Sequence, residues 1–301
     1  MKIVITGANS AVGRAILRCG PKLGATTNTL VAAVRSDRAA EQIRSETGSA
    51  GGVVRISYDD PKSLDVAFQG ASAVIHLAGI LVESPDSTYE KANVASTRGV
   101  VEAAKRSGVQ KIVLVSATGA DETSRNRYYR TKGQAEGLVR ASGLNYTVLR
   151  APLLLGPGTA GGAALGRHVS HSRAKLISGG RNFQQPLYVA DLARAAVAAT
   201  NLSVANNLVL DLVGPVSLPD RELVERAARL MGRHIRIGSI PKVWFSLVLG
   251  IRQRIGKPGF SQDALDVITA DTRLNSQPAA SALGIELTGI DEMIKESLGQ
   301  G

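Results

Sequence analysis

Short apolar runs alternate with helix-like stretches through the first half of this chain. The apolar runs predict strands at Lys2–Thr6, Leu30–Val34, Val53–Ile56, Ala73–Leu77, Lys111–Ser116 and Tyr146–Arg150. Between them, apolar residues recur at helical spacing, which predicts helices at Ala11–Cys19, Asp37–Thr47, Lys62–Gln69, Tyr89–Ser107 and Tyr128–Ser142. Strands that alternate with amphipathic helices indicate a parallel sheet covered on both faces. We therefore predict a doubly wound α/β (Rossmann) fold with its ligand at the carboxyl ends of the strands.

The pattern changes after Arg150, where the stretch APLLLGPGTAGGAALG is rich in Gly and Pro and is typical of a loop that leaves the sheet. We predict a nucleotide-binding domain over residues 1–155, completed by about 183–213. Residues 156–182 and 214–301 would then form a small, mostly helical lobe that covers the substrate.

Within the second half, Asn207–Val213 is strand-like, and the next apolar-periodic stretch predicts a helix that ends at Met231. Ser217 or Asp220 is the expected N-cap of that helix, because a short side-chain oxygen can accept from its free N–H groups. Asp191 is expected to cap another helix for the same reason.

Composition limits the classes of protein that fit. The chain has 301 residues, of which 44% are hydrophobic and only 4% aromatic, so the core must consist mostly of aliphatic side chains. A single cysteine, Cys19, excludes an intramolecular disulfide framework and favours a reducing, cytoplasmic location. The start of the chain does not resemble a signal peptide, and the apolar run Val243–Ile251 is about half of a membrane span.

The net charge of +11 is unevenly distributed. Six Lys and Arg residues and no acidic residue lie between Arg233 and Lys257, and this segment also holds Trp244 and Phe245. Such a segment can contact an anionic membrane, cover an apolar substrate, or simply form the core face of a lobe helix. We find no nucleic-acid-binding module, and therefore expect a small-molecule substrate, no nucleic acid, and at most peripheral membrane contact through residues 233–257. The oligomeric state stays open.

The opening segment KIVITGANSAVGRAIL places a glycine-rich turn between a strand and a helix. Gly7 permits the sharp exit from the strand, and Gly13 permits close packing of the helix. Ser10 stands where such turns often carry a second glycine, and serine is small enough to let the backbone approach a pyrophosphate. The helix would direct its free N–H groups at the same anion. The predicted phosphate contacts are Gly7, Asn9, Ser10, Ala11, Val12 and Gly13.

Arg35 follows the second predicted strand, where an acidic residue would accept a hydrogen bond from a ribose hydroxyl of NAD. An arginine suits a 2′-phosphate instead, because its guanidinium forms bidentate, charge-assisted hydrogen bonds. Arg35 with Ser36 and Arg38 therefore favours NADP, while Asp37 in the same loop keeps NAD possible.

Nearly the whole chain resembles the short-chain dehydrogenase/reductase superfamily in its extended and atypical branches. The turn TGANSAVG is similar to the motif TGxxGxxG of that superfamily. The segments DDPKSLDVAFQGASAVIHLAG, ANVASTRGVVEAAKRSGVQKIVLVSA, YYRTKGQAEGLVRASGLNYTVLRAPLLLGPG and QPLYVADLARAAVAA resemble its other conserved segments. The resemblance implies coenzyme contacts at the ends of the strands and a catalytic Tyr and Lys in a YxxxK helix. NmrA-like sensors, a complex I accessory subunit and NAD-dependent epimerases or dehydratases look like relatives.

The residues that match these motifs give the remaining candidates. Tyr128 and Lys132 match YxxxK, Asn93 matches the Asn that supports the lysine, and Ser116 or Thr118 would supply the catalytic hydroxyl because Ala117 stands where many relatives carry it. Ser57 stands where relatives often have an acidic adenine contact, and Tyr58 could stack on the base instead. Backbone contacts with the coenzyme are expected at Leu77, Ala78 and Gly79, and Pro152 is expected to shape the loop beside the nicotinamide.

Tyr128 and Lys132 share one helix face, since they are four residues apart. A phenol with a pKa near ~10 is a poor base at neutral pH, so a neighbouring ammonium that lowers the pKa together with a nicotinamide cation would help it exchange a proton with the substrate. Lys132 would also bond the nicotinamide ribose. His76 is expected to be a packed core histidine, and His168 and His171 without further ligands predict no metal site.

These observations favour an NAD(P)(H)-dependent oxidoreductase that acts on a carbonyl or alcohol. One alternative is a nucleotide-sugar epimerase or dehydratase whose coenzyme stays bound. The other is a non-catalytic NAD(P)-binding regulator or assembly subunit, for which Ala117 is an argument and the intact Tyr128 and Lys132 are counter-arguments.

Overall fold

The computed structural model of the chain describes residues 1–19, 29–47, 52–77, 79–254 and 260–299. Strands and helices alternate through the first half, close to the predicted positions. The strands are β1 (Lys2–Thr6), β2 (Thr29–Val34), β3 (Gly52–Arg55), β4 (Ala73–His76), β5 (Lys111–Ala117) and β6 (Asn145–Ala151). The helices are α1 (Ala11–Cys19), α2 (Asp37–Thr47), α3 (Pro61–Phe68), α4 (Ser96–Arg106) and α5 (Arg127–Arg140).

These strands, with β11 (Leu208–Asp211), form one seven-stranded parallel sheet in the order β11-β6-β5-β4-β1-β2-β3. The strand order reverses between β1 and β4, which is where doubly wound sheets bind their ligands. One aliphatic core covers the face that carries α1 and α2, and a second covers the face of α3, α4 and α5. Burial on both faces explains why these strands are almost continuously apolar in sequence. The predicted Rossmann fold is confirmed.

One predicted helix differs in its first turns. Where a continuous helix is expected from Tyr89, the chain forms a π-helical turn over Glu90–Ala95, and α4 begins only at Ser96. Such π turns widen the helix by one residue per turn and occur frequently at functional sites. Asn93 lies inside this turn and is almost fully buried.

The lobe contains α6 (Ala160–Val169), β8 (Arg173–Ile177), α8 (Asp220–Leu230), β13 (Arg236–Ile240), α9 (Lys242–Arg254), α10 (Gln262–Ile268) and α12 (Ile290–Ser297). A third apolar core joins α6, α8 and α12, with Leu165, Val224 and Met293 at its centre. Short strand pairs complete it: β7 (Leu154–Leu155) with β10 (Leu187–Tyr188), and β9 (Phe183–Gln184) with β12 (Leu218–Pro219). Two further helices pack against the core on the α1 face: α7 (Val189–Ala198) and α11 (Gln277–Leu283). The proposed lobe boundaries stay a prediction; α11 lies within the predicted lobe in sequence but packs against the core on the α1 face.

The expected helix caps in this half are wrong. Pro219 occupies the N-cap position of α8 without a side-chain hydrogen bond, while the Ser217 hydroxyl donates to the Thr272 carbonyl oxygen at 2.7 Å. Asp191 lies inside α7 rather than before it. Its buried carboxylate accepts from the N–H and the hydroxyl of Thr288, both at 2.7 Å, and from Arg194. Asp191 therefore links the C-terminal segment, through Thr288, to α7 by hydrogen bonds.

Across the described residues, no helix combines the length and apolar character that crossing a bilayer requires. Residues 233–254 of the basic segment singled out in the sequence contain β13 and α9, whereas residues 255–257 lie outside the described residues.

Candidate active site

The turn after β1 has the geometry expected of a phosphate-binding turn. Gly7 has a φ of 71°, a conformation that favours glycine, and its carbonyl oxygen accepts from the Ser10 N–H at 3.0 Å. A Cβ on Gly13 would lie 2.4 Å from the Ala8 carbonyl oxygen, so only glycine fits there. Strand and helix therefore approach each other as closely as a dinucleotide turn requires.

Ser10 is the residue that caps α1. Its side-chain oxygen accepts from the Gly13 N–H at 3.1 Å, as an N-cap serine does. The hydroxyl hydrogen remains available as a donor, because the capping contact uses only a lone pair. Asn9 is exposed beside it, and Ala11 and Val12 form the first turn of the helix. The serine thus stabilises the helix N-terminus and still leaves room for an anion.

At the end of β2, Arg35 and Ser36 are both exposed, and the Ser36 hydroxyl caps α2 by accepting from the Ala39 N–H at 3.3 Å. Asp37, the residue that left NAD possible, is held by Arg55 of β3 through two contacts of 2.9 and 3.2 Å. The acidic group of this loop is therefore already paired, whereas the Arg35 guanidinium has no ion-pair partner among the described residues.

A chain of hydrogen bonds runs beneath the switch point. The Thr6 hydroxyl lies 2.6 Å from His76 Nδ1. His76 Nε2 lies 3.1 Å from the Thr97 hydroxyl, which donates to the Asn93 carbonyl oxygen at 2.6 Å. Because Thr97 uses its hydrogen for Asn93, Nε2 must be the protonated ring nitrogen and Nδ1 must accept from Thr6.

This chain makes His76 a neutral structural residue, as the sequence predicts. Burial, and then the Lys132 charge, lower the pKa of His76 to about 3. Tyr58 contacts the same ring edge to face, at 6.1 Å between centroids, and burial raises the pKa of its phenol. The neighbouring Ser57 is exposed, with its N–H bonded to Ser63. Adenine contacts at Ser57 and Tyr58 stay predictions.

Asn93 connects the loop after β4 to α5, which carries the candidate residues Tyr128 and Lys132. Its side-chain carbonyl accepts from the Ile80 N–H at 3.3 Å, and its amide donates to the Thr131 hydroxyl at 3.0 Å. Thr131 in turn donates to the backbone of α5. Asn93 is a candidate from the sequence and stays one, whereas Thr131 was not predicted, because it is an unremarkable helix residue until its partner is known.

Lys132 lies beneath the end of β5. Its ammonium donates to the Val115 carbonyl oxygen at 2.9 Å, and a Cβ on Gly79 would lie 3.3 Å from it and 3.0 Å from Asn93 Oδ1. Burial lowers the pKa of Lys132 to about 8, against the opposing effect of the Glu136 carboxylate. Gly79 therefore lies so close to two polar side chains at the carboxyl edge of the sheet that a Cβ there would crowd both.

The ring of Tyr128 packs edge to face against Tyr89 and Tyr129, at 5.8 and 5.7 Å between centroids. The expectation that Lys132, together with a nicotinamide cation, lowers the pKa of Tyr128 concerns the complex with coenzyme and stays a prediction. Burial, and then the two neighbouring phenols, raise the pKa of Tyr128, since the Lys132 ammonium is directed at the Val115 carbonyl instead. The phenol is therefore held in its neutral, proton-donating form.

The two candidate hydroxyls differ in their surroundings. Ser116 Oγ is buried and has no hydrogen-bond partner among the described residues. Thr118 is half-buried directly after β5, and its N–H donates to the Ala151 carbonyl oxygen at 3.1 Å. Pro152 follows Ala151 at the same edge. Both hydroxyls stay candidates for holding the substrate oxygen.

Of the expected backbone contacts after β4, Leu77 is half-buried and its N–H donates to the Thr6 carbonyl oxygen at 3.1 Å. Gly79 is exposed, and Ala78 lies outside the described residues. His168 lies in α6 and His171 beyond its end. In the described part of the chain, no three His, Cys, Asp or Glu side chains are grouped so that they could hold a metal ion.

Sequence reasoning also missed the contact that the lobe makes with α5. Asn126 caps this helix through the N–H groups of Tyr128 and Tyr129, and its amide donates to the Asp263 carbonyl oxygen at 3.0 Å. The Asp263 carboxylate accepts from the Arg127 N–H at 3.0 Å. No short-range signal reveals this contact, because 136 residues separate Arg127 from Asp263.

Taken together, the residues present fit a nicotinamide dinucleotide. The turn after β1 excludes any side chain at Gly13, the α1 N-terminus offers free N–H donors, and Gly79 brings the backbone close to Lys132 and Asn93. All of these groups lie at the carboxyl edge of the sheet, around the switch point between β1 and β4.

Fold and site thus define a doubly wound nucleotide-binding protein. A family model described as NAD(P)H-binding matches residues 7–207, so the chain belongs to the NAD(P)H-binding family. The resemblance to the short-chain dehydrogenase/reductase superfamily is confirmed.

Similar proteins include both enzymes and assembly proteins. A ceramide reductase of Caulobacter vibrioides is 26% identical over 79% of this chain and 73% of its own length. The photosystem II assembly factor Ycf39 of Cyanophora paradoxa is 25% identical over 82% of this chain and 74% of its own. A mitochondrial NADH dehydrogenase alpha subcomplex subunit 9 of Arabidopsis thaliana is 28% identical over 73% of this chain and 56% of its own length.

Solved structures share the fold over the whole chain. UDP-glucuronic acid 4-epimerase of Bacillus cereus, in complex with NAD and UDP-glucuronic acid, has a TM-score of 0.78 at 16% identity and covers 100% of this chain and 98% of its own. Triphenylmethane reductase of a Citrobacter species, complexed with NADP(H), has a TM-score of 0.73 at 20% identity. The match covers 98% of this chain and 100% of the reductase chain.

Proposed function

We propose that this protein is an NADP(H)-dependent oxidoreductase of the short-chain dehydrogenase/reductase type that acts on a carbonyl or alcohol. The observation that carries the proposal is the junction of Lys132, Asn93 and Gly79 at the carboxyl edge of the sheet, one helical turn from Tyr128. A sensor or structural subunit needs no such junction. Cys19 as the single cysteine supports a cytoplasmic location.

A nicotinamide bound at this edge would supply or accept the hydride. Tyr128 exchanges the proton with the substrate oxygen. Burial raises the pKa of this phenol, so Tyr128 keeps its proton at neutral pH and carries the proton that reduction of a carbonyl would consume. Hydride and proton together convert the carbonyl to an alcohol, and Thr118 or Ser116 would hold its oxygen.

Lys132 has three N–H donors, of which one is used by the Val115 carbonyl oxygen. The others are available for a ribose hydroxyl beside Gly79. Asn93 fixes the position of the Ile80 backbone and of α5 at once, so it acts as a positioning residue rather than a proton donor.

The choice of NADP(H) is supported by Arg35 and Ser36 at the end of β2, together with the pairing of Asp37 by Arg55. A paired carboxylate competes less well for ribose hydroxyls, whereas an exposed guanidinium binds a 2′-phosphate with two charge-assisted hydrogen bonds.

The test is a titration of the purified chain with NADPH and NADH, followed by turnover assays on a panel of aldehydes and ketones. We expect tighter binding of NADPH, and one released NADP⁺ for each alcohol formed. Release of rearranged substrate with no net change in the coenzyme would instead indicate the epimerase or dehydratase.

A non-catalytic, coenzyme-binding role is the second candidate, because Ala117 occupies the position of the usual catalytic hydroxyl and Ycf39 is among the similar proteins. Introducing Ala117→Ser separates the two. A regulator stays inactive in both forms while it binds the coenzyme, whereas an enzyme turns over without the serine.

A further inference from the structure

We propose that the lobe carries a docking surface for an anionic lipid bilayer, built from the outer face of the β8–β13 strand pair and the first turns of α9. This surface lies outside the candidate active site, and the proposal does not depend on the reaction. Its parts are three basic side chains on the strands, Arg173, Lys175 and Arg236, and three apolar side chains on the helix, Val243, Trp244 and Leu247.

The strand pair separates charged from apolar residues cleanly. Arg173 and Lys175 are exposed on β8, whereas the alternating Ala174 and Leu176 are buried, and Leu176 belongs to the lobe core. Arg236 of β13 stands in register with Arg173, so that both guanidinium groups project from the same face.

This register brings two like charges together without compensation. Neither Arg173 nor Arg236 forms an ion pair with another described residue. Like charges in adjacent positions repel each other, and an external anion would remove that cost. The pair therefore points to a partner that carries negative charge.

A cleft at the same place has the size and chemistry for a phosphate group. It measures ≈ 290 Å³ and is lined by Ser172, Arg173, His234, Ile235 and Arg236, with no acidic residue. Guanidinium groups recognise phosphate oxygens through paired hydrogen bonds, and the serine hydroxyl is a further donor.

The helix that follows adds an apolar component. A single residue, Pro241, separates β13 from α9, where Val243, Trp244 and Leu247 are 79, 65 and 55% exposed. With Val66, they are the most exposed large apolar side chains in the described part of the chain. The indole ring suits the boundary between headgroups and acyl chains, because it combines an apolar body with one N–H donor.

These features together favour a bilayer over the other occupants. A second copy of this chain would bring Arg173 and Arg236 against their own counterparts and against a net charge of +11. A free phosphate would satisfy the cleft and leave the apolar side chains in water. An anionic membrane satisfies both parts at once.

The chain contains one tryptophan, so intrinsic fluorescence reports on this surface directly. The full chain is mixed with vesicles of phosphatidylcholine, with or without phosphatidylglycerol. We expect a blue shift of the Trp244 emission and co-sedimentation only with the anionic vesicles, both reversed by salt.

Paired variants distinguish the surface from general charge. Arg173→Gln with Arg236→Gln should weaken partitioning roughly 30-fold, about fivefold for each arginine. Arg44→Gln with Arg98→Gln removes the same charge from exposed positions of the nucleotide domain and should have little effect. Val243→Ser should weaken partitioning about fivefold, and Val66→Ser should not.

Several results would overturn the proposal. These are equal binding to neutral vesicles, equal losses in the matched variants, or no spectral change with anionic vesicles. A blue shift caused by inorganic phosphate alone, or by raising the protein concentration without vesicles, would assign the surface to a free anion or to self-association instead.

Discussion

Lys132 donates a 2.9 Å hydrogen bond to the carbonyl oxygen of Val115, which places a buried ammonium directly beneath the end of β5. The protein's own fold therefore fixes the position of this charge without help from a ligand, and Asn93 and Gly79 lie beside it. The cost is visible in the lysine itself, since burial lowers its pKa from 10.5 to about 8.

Replacement of Lys132 by Met should therefore change how stability depends on pH. Below pH 8 the folded protein carries the buried charge and bears its full cost. Between pH 8 and 10.5 the folded lysine loses its proton while the unfolded one keeps it, so the free energy of unfolding rises with pH, by about 3 kcal/mol in total. Urea unfolding across this range should show the rise in the native chain and a smaller one in Lys132→Met.

Lys111 provides the control for this experiment. It is fully buried, its pKa is also lowered to about 8 by burial, and it donates to three oxygens on the loop after α7, those of Asn201, Val204 and Asn206. Lys111→Met should remove a comparable part of the pH-dependent rise while turnover remains. If both variants lose turnover equally, Lys132 has no specific role in the site.

Tyr128→Phe should lower kcat by roughly 10²- to 10⁴-fold, because the substrate oxygen loses its proton donor. The ring packing against Tyr89 and Tyr129 is kept, so the midpoint of unfolding and the affinity for NADPH should change little. Steady-state kinetics with calorimetric titration checks both. Tyr129→Phe is the matched control, and turnover that falls equally in the two variants would argue against Tyr128 as the acid.

Much of the fold was predictable because each strand of a doubly wound sheet is buried on both faces and is therefore almost continuously apolar in sequence. The phosphate turn was predictable for a similar reason, since Gly7 and Gly13 are required by backbone geometry alone. The π turn at Asn93 was not, because apolar spacing cannot distinguish one added residue within a helix. Asp191 was misassigned as a cap because its partner, Thr288, lies 97 residues away.

Gly13→Ala should abolish coenzyme binding and lower stability. The added methyl group would meet the Ala8 carbonyl oxygen at 2.4 Å, so α1 must move away from β1 and the anion site between them must open. Overpacking of this kind costs about 1–3 kcal/mol. Gly289→Ala is the control, since a Cβ there meets no atom within 4 Å and the backbone φ of −64° suits any residue. Thermal unfolding and NADPH titration of both variants test the expectation.

Arg35→Ala should weaken NADPH binding by about 10- to 150-fold and leave NADH binding nearly unchanged. The reason is the loss of the charge-assisted contact with the 2′-phosphate, with a net worth of about 1.5–3 kcal/mol, which NADH never makes. Arg44→Ala is the matched control, because it removes an equally exposed charge from α2, further from the end of β2. Calorimetric titration of both coenzymes with both variants decides the matter. Equal weakening of NADPH and NADH by Arg35→Ala would show that Arg35 acts on something other than the 2′-phosphate, and the coenzyme preference would then have to come from elsewhere in the loop.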